Sequence, residues 1–381
     1  MNKLFTSESV THGQPDKLCD QISDRILDEY LKGDPYSRVA CEVCAHKNGI
    51  VVVGEITSKV NVNLEKIVRQ TIIDIGYNSD NLGFNGNTIK LETFINKQSN
   101  DISCGVDNSL DDNNIGAGDQ GMMFGYATNE TESYMPYSIY MAHELSKKLT
   151  EVFKNKKISY LRPDGKTQVT VLYEDNIPKF IDTIVISAQH DPIDIEVLRK
   201  DIKELVIDEV IPSNMINKDT KIYINPTGRF IIGGPVGDSG LTGRKIIVDT
   251  YGGICGHGGG AFSGKDCTKV DRSASYYARY VAKNIVASGL CDKIEIQVSY
   301  AIGMSKPISI FINTYNTNKV SEKEILRIIN KIFDFTPNNI ITELELRKPN
   351  YNKTTCFGHF GKKELPWERL DKIEKIKSII N

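Results

Sequence analysis

The chain has one tryptophan in 381 residues and no excess of charge of either sign. No stretch approaches the ~20 consecutive apolar residues of a membrane-spanning helix. Each shortage removes a class of function. Lys+Arg number 47 against 49 Asp+Glu, a net charge of -2, so the broad basic surface of a nucleic-acid or acidic-membrane binder is missing. Any anion handled here is small. The 8 cysteines are too scattered for a disulfide framework in a chain of this size. Cys41 and Cys44 form a C-x-x-C, but no second pair completes a zinc site and both lie in a strand-like run, so they read as reduced core cysteines. The first ten residues lack a basic segment followed by an apolar one, which points to a cytoplasmic protein. What is plentiful is the ordinary globular mixture, 40% hydrophobic and 25% charged, and the length suits two or three domains.

Periodicity gives the elements. Leu18, Ile22, Ile26 and Tyr30 recur every fourth residue between Pro15 and Gly33, which predicts a helix over Asp16 to Lys32. Two β-rich runs, Arg38 to Ala45 and Ile50 to Ile56, flank His46-Lys47-Asn48-Gly49, whose Asn-Gly predicts a hairpin turn. A helix is expected over Asn63 to Ile75. Further on, helices are expected at Met135 to Phe153, Ile195 to Val210 and Asp271 to Ser288. Strands are expected at Gln168 to Tyr173, Lys179 to Ser187, Lys221 to Ile224, Glu295 to Ala301 and Pro307 to Thr314. This grammar is α+β, with sheets covered by helices, repeated about three times without an alignable sequence repeat. Gln98 to Asn114 is polar and glycine-containing, either a linker or a lid that orders over bound substrates.

Three glycine-dense segments carry the chemistry: Gly116 to Gly121, Gly233 to Gly243, and Gly252 to Gly264. Each sits beside charge: Asp119; Asp238 with Arg244 and Lys245; and Lys265, Asp266, Lys269 and Asp271. Glycine lets a backbone approach phosphate oxygens closely, Lys and Arg neutralise them, and Asp holds a bridging cation. Gly259 to Asp266 nearly fits a P-loop, but position 266 is Asp where a Ser or Thr should hold magnesium, and no apolar strand precedes it. The pattern points to a nucleoside polyphosphate with magnesium, outside the P-loop and dinucleotide-binding folds.

Gly116 to Gly121 and Gly258-Gly259-Gly260-Ala261-Phe262-Ser263-Gly264-Lys265-Asp266 resemble the two signatures of the methionine adenosyltransferases, or S-adenosylmethionine synthetases. The resemblance extends to Phe5 to Val10, Pro15-Asp16-Lys17, Asn225 to Phe230, Gly240 to Lys245 and Gly358-His359-Phe360-Gly361. It implies three similar α+β domains with antiparallel or mixed sheets and interleaved segments, near residues 1–103, 112–232 and 233–375. It also implies a homodimer or homotetramer with active sites at the subunit interface. The implied reaction joins ATP and L-methionine, releasing triphosphate that is then hydrolysed to pyrophosphate and phosphate. Two Mg2+ per site and K+ would serve it. By matched motif, Asp16 and Asp271 would bind magnesium and Glu42, set in an otherwise apolar run, potassium. Gln14, Lys17, Asp119, Arg244, Lys245 and Lys265 would be catalytic. Asp164, Gly165, Lys166, Arg229, Phe230, Asp238 and Ala261 would contact ATP, with Phe230 stacked on adenine. Glu55, Gln98, Asp238 and Lys269 would face methionine. One departure stands out: where the family usually has a phosphate-side histidine, this chain has Gln14, with His12 two residues away. The rivals are another magnesium-dependent phosphotransferase and a nucleotide-sensing subunit without catalysis.

Overall fold

The computed structural model describes residues 2–97, 109, 115–348 and 350–380. The expected segment Gln98 to Asn114, and Gln98 itself, lies outside the described residues save for Ser109. Three sheets with helices packed on them form the α+β fold. The first has the order β1-β6-β7-β8, formed by β1 (Asn2–Val10), β6 (Leu161–Glu174), β7 (Ile177–His190) and β8 (Lys221–Ile224). The second runs β4-β3-β2-β9, from β2 (Arg38–His46), β3 (Gly49–Thr57), β4 (Lys90–Asn96) and the two-residue β9 (Gly240–Leu241). The third is β11-β10-β5, with β5 (Gly121–Thr128), β10 (Lys293–Tyr300) and β11 (Ser309–Asn313).

The segments interleave. β1, from the very start of the chain, pairs antiparallel with β6 from Asn2 opposite Glu174 to Val10 opposite Lys166. Likewise β9 closes the edge of the N-terminal sheet and β5 pairs with β10. Parallel pairs, β3 with β4 and β7 with β8, make two of the sheets mixed. Helix α1 (Pro15–Gly33) buries Leu18, Ile22, Ile26 and Tyr30 against β2 and α2 (Leu64–Ile75). Its core is continuous with that of α5 (Val270–Ala287), which lies on β5 and β10. A second core sits under the first sheet, below α3 (Tyr137–Lys154) and α4 (Ile195–Ile202), whose expected single helix to Val210 is interrupted by a π turn at Lys203–Ile207.

Two local readings change. The β2–β3 hairpin pairs His46 with Gly49, so its loop is Lys47-Asn48. Gly49 serves the sheet instead: a Cβ there would lie 2.2 Å from the Lys90 carbonyl oxygen of the parallel neighbour β4. β6 and β7 are far longer than the two short strands expected, because Asp175 and Asn176 both take positive φ (49° and 65°) and turn a 14-residue strand directly into another. As for the C-x-x-C, Cys41 is buried and Cys44 half-buried on the opposite face of β2, and both are free thiols.

Candidate active site

The site is built outward from the start of α1. Pro15 opens the helix and Gln14 caps it, Oε1 accepting the Lys17 N–H at 3.0 Å. Asp16, in the first turn, accepts Leu241 N–H at 3.0 Å, Lys245 Nζ at 2.6 Å and Gln14 Nε2 at 3.1 Å. Burial works against the Asp16 charge, but these three bonds outweigh it and hold the carboxyl below its ordinary range. Gly240 makes the approach possible, since a Cβ there would sit 2.2 Å from the Pro15 carbonyl oxygen. The half-exposed Arg244 guanidinium lies 3.9 Å from the same carboxylate.

A second carboxylate–lysine pair faces it. Lys265 Nζ donates to Asp271 Oδ2 at 2.7 Å, from the first turn of α5. Gly260 crosses this carboxylate so closely that a Cβ would meet Asp271 Oδ1 at 2.3 Å. Ala261 abuts Gly243, joining the two glycine loops. Asp266, which broke the P-loop pattern, is a buried anchor: it accepts Val39 N–H at 2.7 Å and Thr268 N–H at 2.9 Å, and pairs with Lys269.

Lys17, expected by matched motif to be catalytic, departs from that expectation and does not open onto the site. Its ammonium is fully buried between Asp20, at 2.8 Å, and Asp249. Desolvation opposes its charge, and the two aspartates more than restore it, raising its pKa. Glu42 departs as well. It is exposed, standing in one row with Val53 and Phe94 across the outer face of the second sheet. Local desolvation lifts its pKa, Lys265 opposes, and the like charge of Glu55, exposed on the same face, adds to the rise. Among the described residues no cluster of three or more His, Cys, Asp or Glu gathers as a metal site.

Gly165, one of the expected ATP contacts, touches the Val10–Asp16 segment, where Thr11 N–H donates to its carbonyl at 3.0 Å. Asp164 lies within β6; its Oδ2 accepts Gly234 N–H at 2.8 Å, and burial pushes its carboxyl up to about 6 with the Asp238 charge adding. Its Oδ1 is buried with no protein partner among the described residues. Phe230 N–H donates to His190 Nε2 at 3.2 Å and its ring lies against Gly233. Lys166, Arg229 and Asp238 are exposed nearby in the chain's surface. Asp119 is exposed and, among the described residues, accepts the N–H of its own neighbour Gln120. His12 does not stand in for the missing histidine: it packs 5.1 Å from the Phe357 ring, bonds Gln21, and burial drives its pKa down to about 3.

Sequence reasoning missed Asp20, Asp24, Asp28, Asp249 and Arg272. The signal was there for the first three, a carboxylate every fourth residue on the helix whose apolar stripe was recognised.

Comparison with known proteins decides the family. Models described as S-adenosylmethionine synthetase N-terminal, central and C-terminal domains match residues 2–100, 114–230 and 232–369. The chain belongs to the S-adenosylmethionine synthetase family. It is 57% identical to the S-adenosylmethionine synthases of Clostridium botulinum (strain Alaska E43 / Type E3) and of Clostridium tetani (strain Massachusetts / E88), each over all of both chains. With that of Finegoldia magna it shares 54%, again over both full lengths. Members of this synthetase family are transferases and need metal ions. No described helix is long and apolar enough to cross a membrane.

Proposed function

We propose that the chain transfers the adenosyl group of ATP to the sulfur of L-methionine, then hydrolyses the expelled triphosphate to pyrophosphate and phosphate. The observation that carries the residue-level reading is the double pairing of Asp16 with Lys245 and Asp271 with Lys265, on glycine loops that meet at Ala261 and Gly243. A sulfur lone pair forms the bond to C5′ as the C5′–O bond breaks, and its electrons leave with the triphosphate. In this transfer step no proton moves and no covalent enzyme intermediate is needed; the second step adds water across a P–O–P bond of the triphosphate, giving pyrophosphate, phosphate and a proton. Catalysis is therefore alignment plus charge: fixing two bound substrates can supply about 7 to 11 kcal/mol, and cations preset at the leaving group supply more.

Asp16 and Asp271 are the carboxylates for two Mg2+, which when bound would neutralise the leaving triphosphate. Lys245 and Lys265 then exchange their carboxylates for phosphate oxygens, joined by Arg244, whose fork suits them. Gln14 adds a neutral amide donor. Asp164 Oδ1, lacking a protein donor, accepts from the nucleoside, Phe230 stacks on adenine, and Gly165, Lys166, Arg229 and Asp238 complete that side. Glu55, Asp119, Gln98 and Lys269 belong to the methionine side, and Glu42 to K+. Because Glu42 and Glu55 share a sheet face with exposed Val53, Phe94 and Leu241, we assign that face to a second copy of the chain, which completes the site in a homodimer or homotetramer. Free cysteines fit a cytoplasmic setting, and domain limits near 1–103, 112–232 and 233–375 follow the same reading. Incubation with ATP, methionine, Mg2+ and K+ should give S-adenosylmethionine by mass. Phosphorylated methionine would select a phosphotransferase, and ATP binding without turnover a sensor.

A further inference from the structure

Helix α1 carries four buried aspartates on one face: Asp16, Asp20, Asp24 and Asp28. Each accepts a backbone N–H from a segment crossing it. Asp16 takes Leu241 at 3.0 Å, Asp20 takes Gly243 at 2.9 Å and Asp24 takes Gly264 at 2.8 Å. Asp28 takes Tyr351 at 2.8 Å and Asn352 at 2.9 Å. The second and third bonds fall on glycines immediately before site residues, Gly243 before Arg244-Lys245 and Gly264 before Lys265. Buried cations hold both carboxylates still. Arg272 grips Asp24 through two bonds, 2.7 and 2.6 Å, and also donates to the Lys265 carbonyl at 3.0 Å. Lys17 is shared by Asp20 and Asp249, and Asp249 in turn accepts the His359 N–H at 2.9 Å through its carbonyl, which ties the Gly358–Gly361 motif to the same unit.

We propose that Asp20, locked by Lys17 and Asp249, is a positioning residue that sets Arg244 and Lys245 through the Gly243 amide, as Asp24 sets Lys265 through Gly264. This rests on the reading that those cations meet the triphosphate. The chemistry asks for a carboxylate because a charge-assisted bond is shorter and stiffer than a neutral one. It asks for a helix because one rigid rod fixes the two loops relative to each other. Gly243 takes a φ of +79° and a Cβ on it would stand 2.5 Å from Ala261, so the loop has little room to compensate.

Asp20→Glu keeps the charge on Lys17 but displaces the carboxylate by one methylene. Asp20→Asn keeps an acceptor for the Gly243 N–H but gives up the charge and turns an amide NH2 toward the Lys17 ammonium, which now donates to Asp20 Oδ2 at 2.8 Å. Asp28→Ala removes the same kind of buried bond away from the site. At temperatures where each is folded, Asp20→Glu should lower kcat by about 10- to 100-fold with the methionine KM little changed, as expected for a misplacement of about 1 Å. Asp20→Asn, which loses the charge-assisted bond, should also lower kcat, and Asp28→Ala should keep the wild-type kcat within about 2-fold despite a lower Tm. Calorimetry with tripolyphosphate gives a second readout, weaker binding in Asp20→Glu and unchanged binding in Asp28→Ala. Wild-type kcat in Asp20→Glu or in Asp20→Asn, or an equal loss in Asp28→Ala, would overturn the proposal. If wild type makes no S-adenosylmethionine, the functional reading fails instead, and the tripolyphosphate arm still judges Asp20.

Discussion

Asp164→Asn should make the protein more stable and the enzyme worse, by amounts that follow from one buried oxygen. Burial lifts the Asp164 carboxyl from 3.8 to about 6, so the folded state prefers it protonated. Its contribution to stability is complete below pH 3.8 and is lost as the pH rises through 6. At pH 8 the wild type therefore carries a buried carboxylate that costs about 3 kcal/mol, a rise of roughly two units at 1.36 kcal/mol each. Asparagine stays neutral and its Oδ1 can still accept the Gly234 N–H. The variant's advantage in urea unfolding should grow from about 2 kcal/mol at pH 5 to about 3 kcal/mol at pH 8. Meanwhile the ATP KM should rise about 10- to 150-fold, the value of a hydrogen bond to a charged group. A variant less stable than wild type at pH 8, or an advantage independent of pH, would refute the argument.

Other changes probe the rest of the site. Lys17→Met should cost about 3 to 5 kcal/mol in chemical unfolding, because Asp20 and Asp249 are left buried without their cation; a variant that is fully stable yet inactive would instead make Lys17 a substrate contact. Glu42→Gln should abolish most potassium activation in steady-state assays, and an unchanged potassium response would remove Glu42 from the ion site. Gln14→His should raise the single-turnover rate, by at most about 10- to 150-fold, with a gain that fades above about pH 7 as the imidazole loses its proton. His12→Ala should leave that rate near wild type, since His12 is neutral and packed on Phe357; loss of activity there would mean the loop uses His12 after all.

Much of the fold was legible because it is local. The fourfold apolar spacing in α1, the Asn63 cap of α2 and the Gly289 that follows α5 each state an element within a few residues. What stayed hidden is long-range. Nothing near β1 announces that its partner is β6, more than 150 residues away, and nothing in Asp164-Gly165-Lys166 shows that this loop-like triplet lies inside a strand. The glycine loops were readable as phosphate-facing from their composition. That Gly240 and Gly264 are also required by contacts with Pro15 and Cys41 was not, because each neighbour comes from another part of the chain. The two misread charges have one physical source. A lysine next to a motif aspartate looks solvent-facing until Asp249 arrives from residue 249 to enclose Lys17, and a glutamate among valines looks buried until strand alternation turns Glu42 outward.

Rapid-quench single turnover with ATP labelled in the γ-phosphate tests the central claim most directly. Attack of sulfur at C5′ predicts intact triphosphate appearing in step with S-adenosylmethionine in the first turnover, with labelled phosphate following later. Labelled phosphate or ADP appearing before any S-adenosylmethionine would show that the phosphate chain is cut first, and would contradict the account.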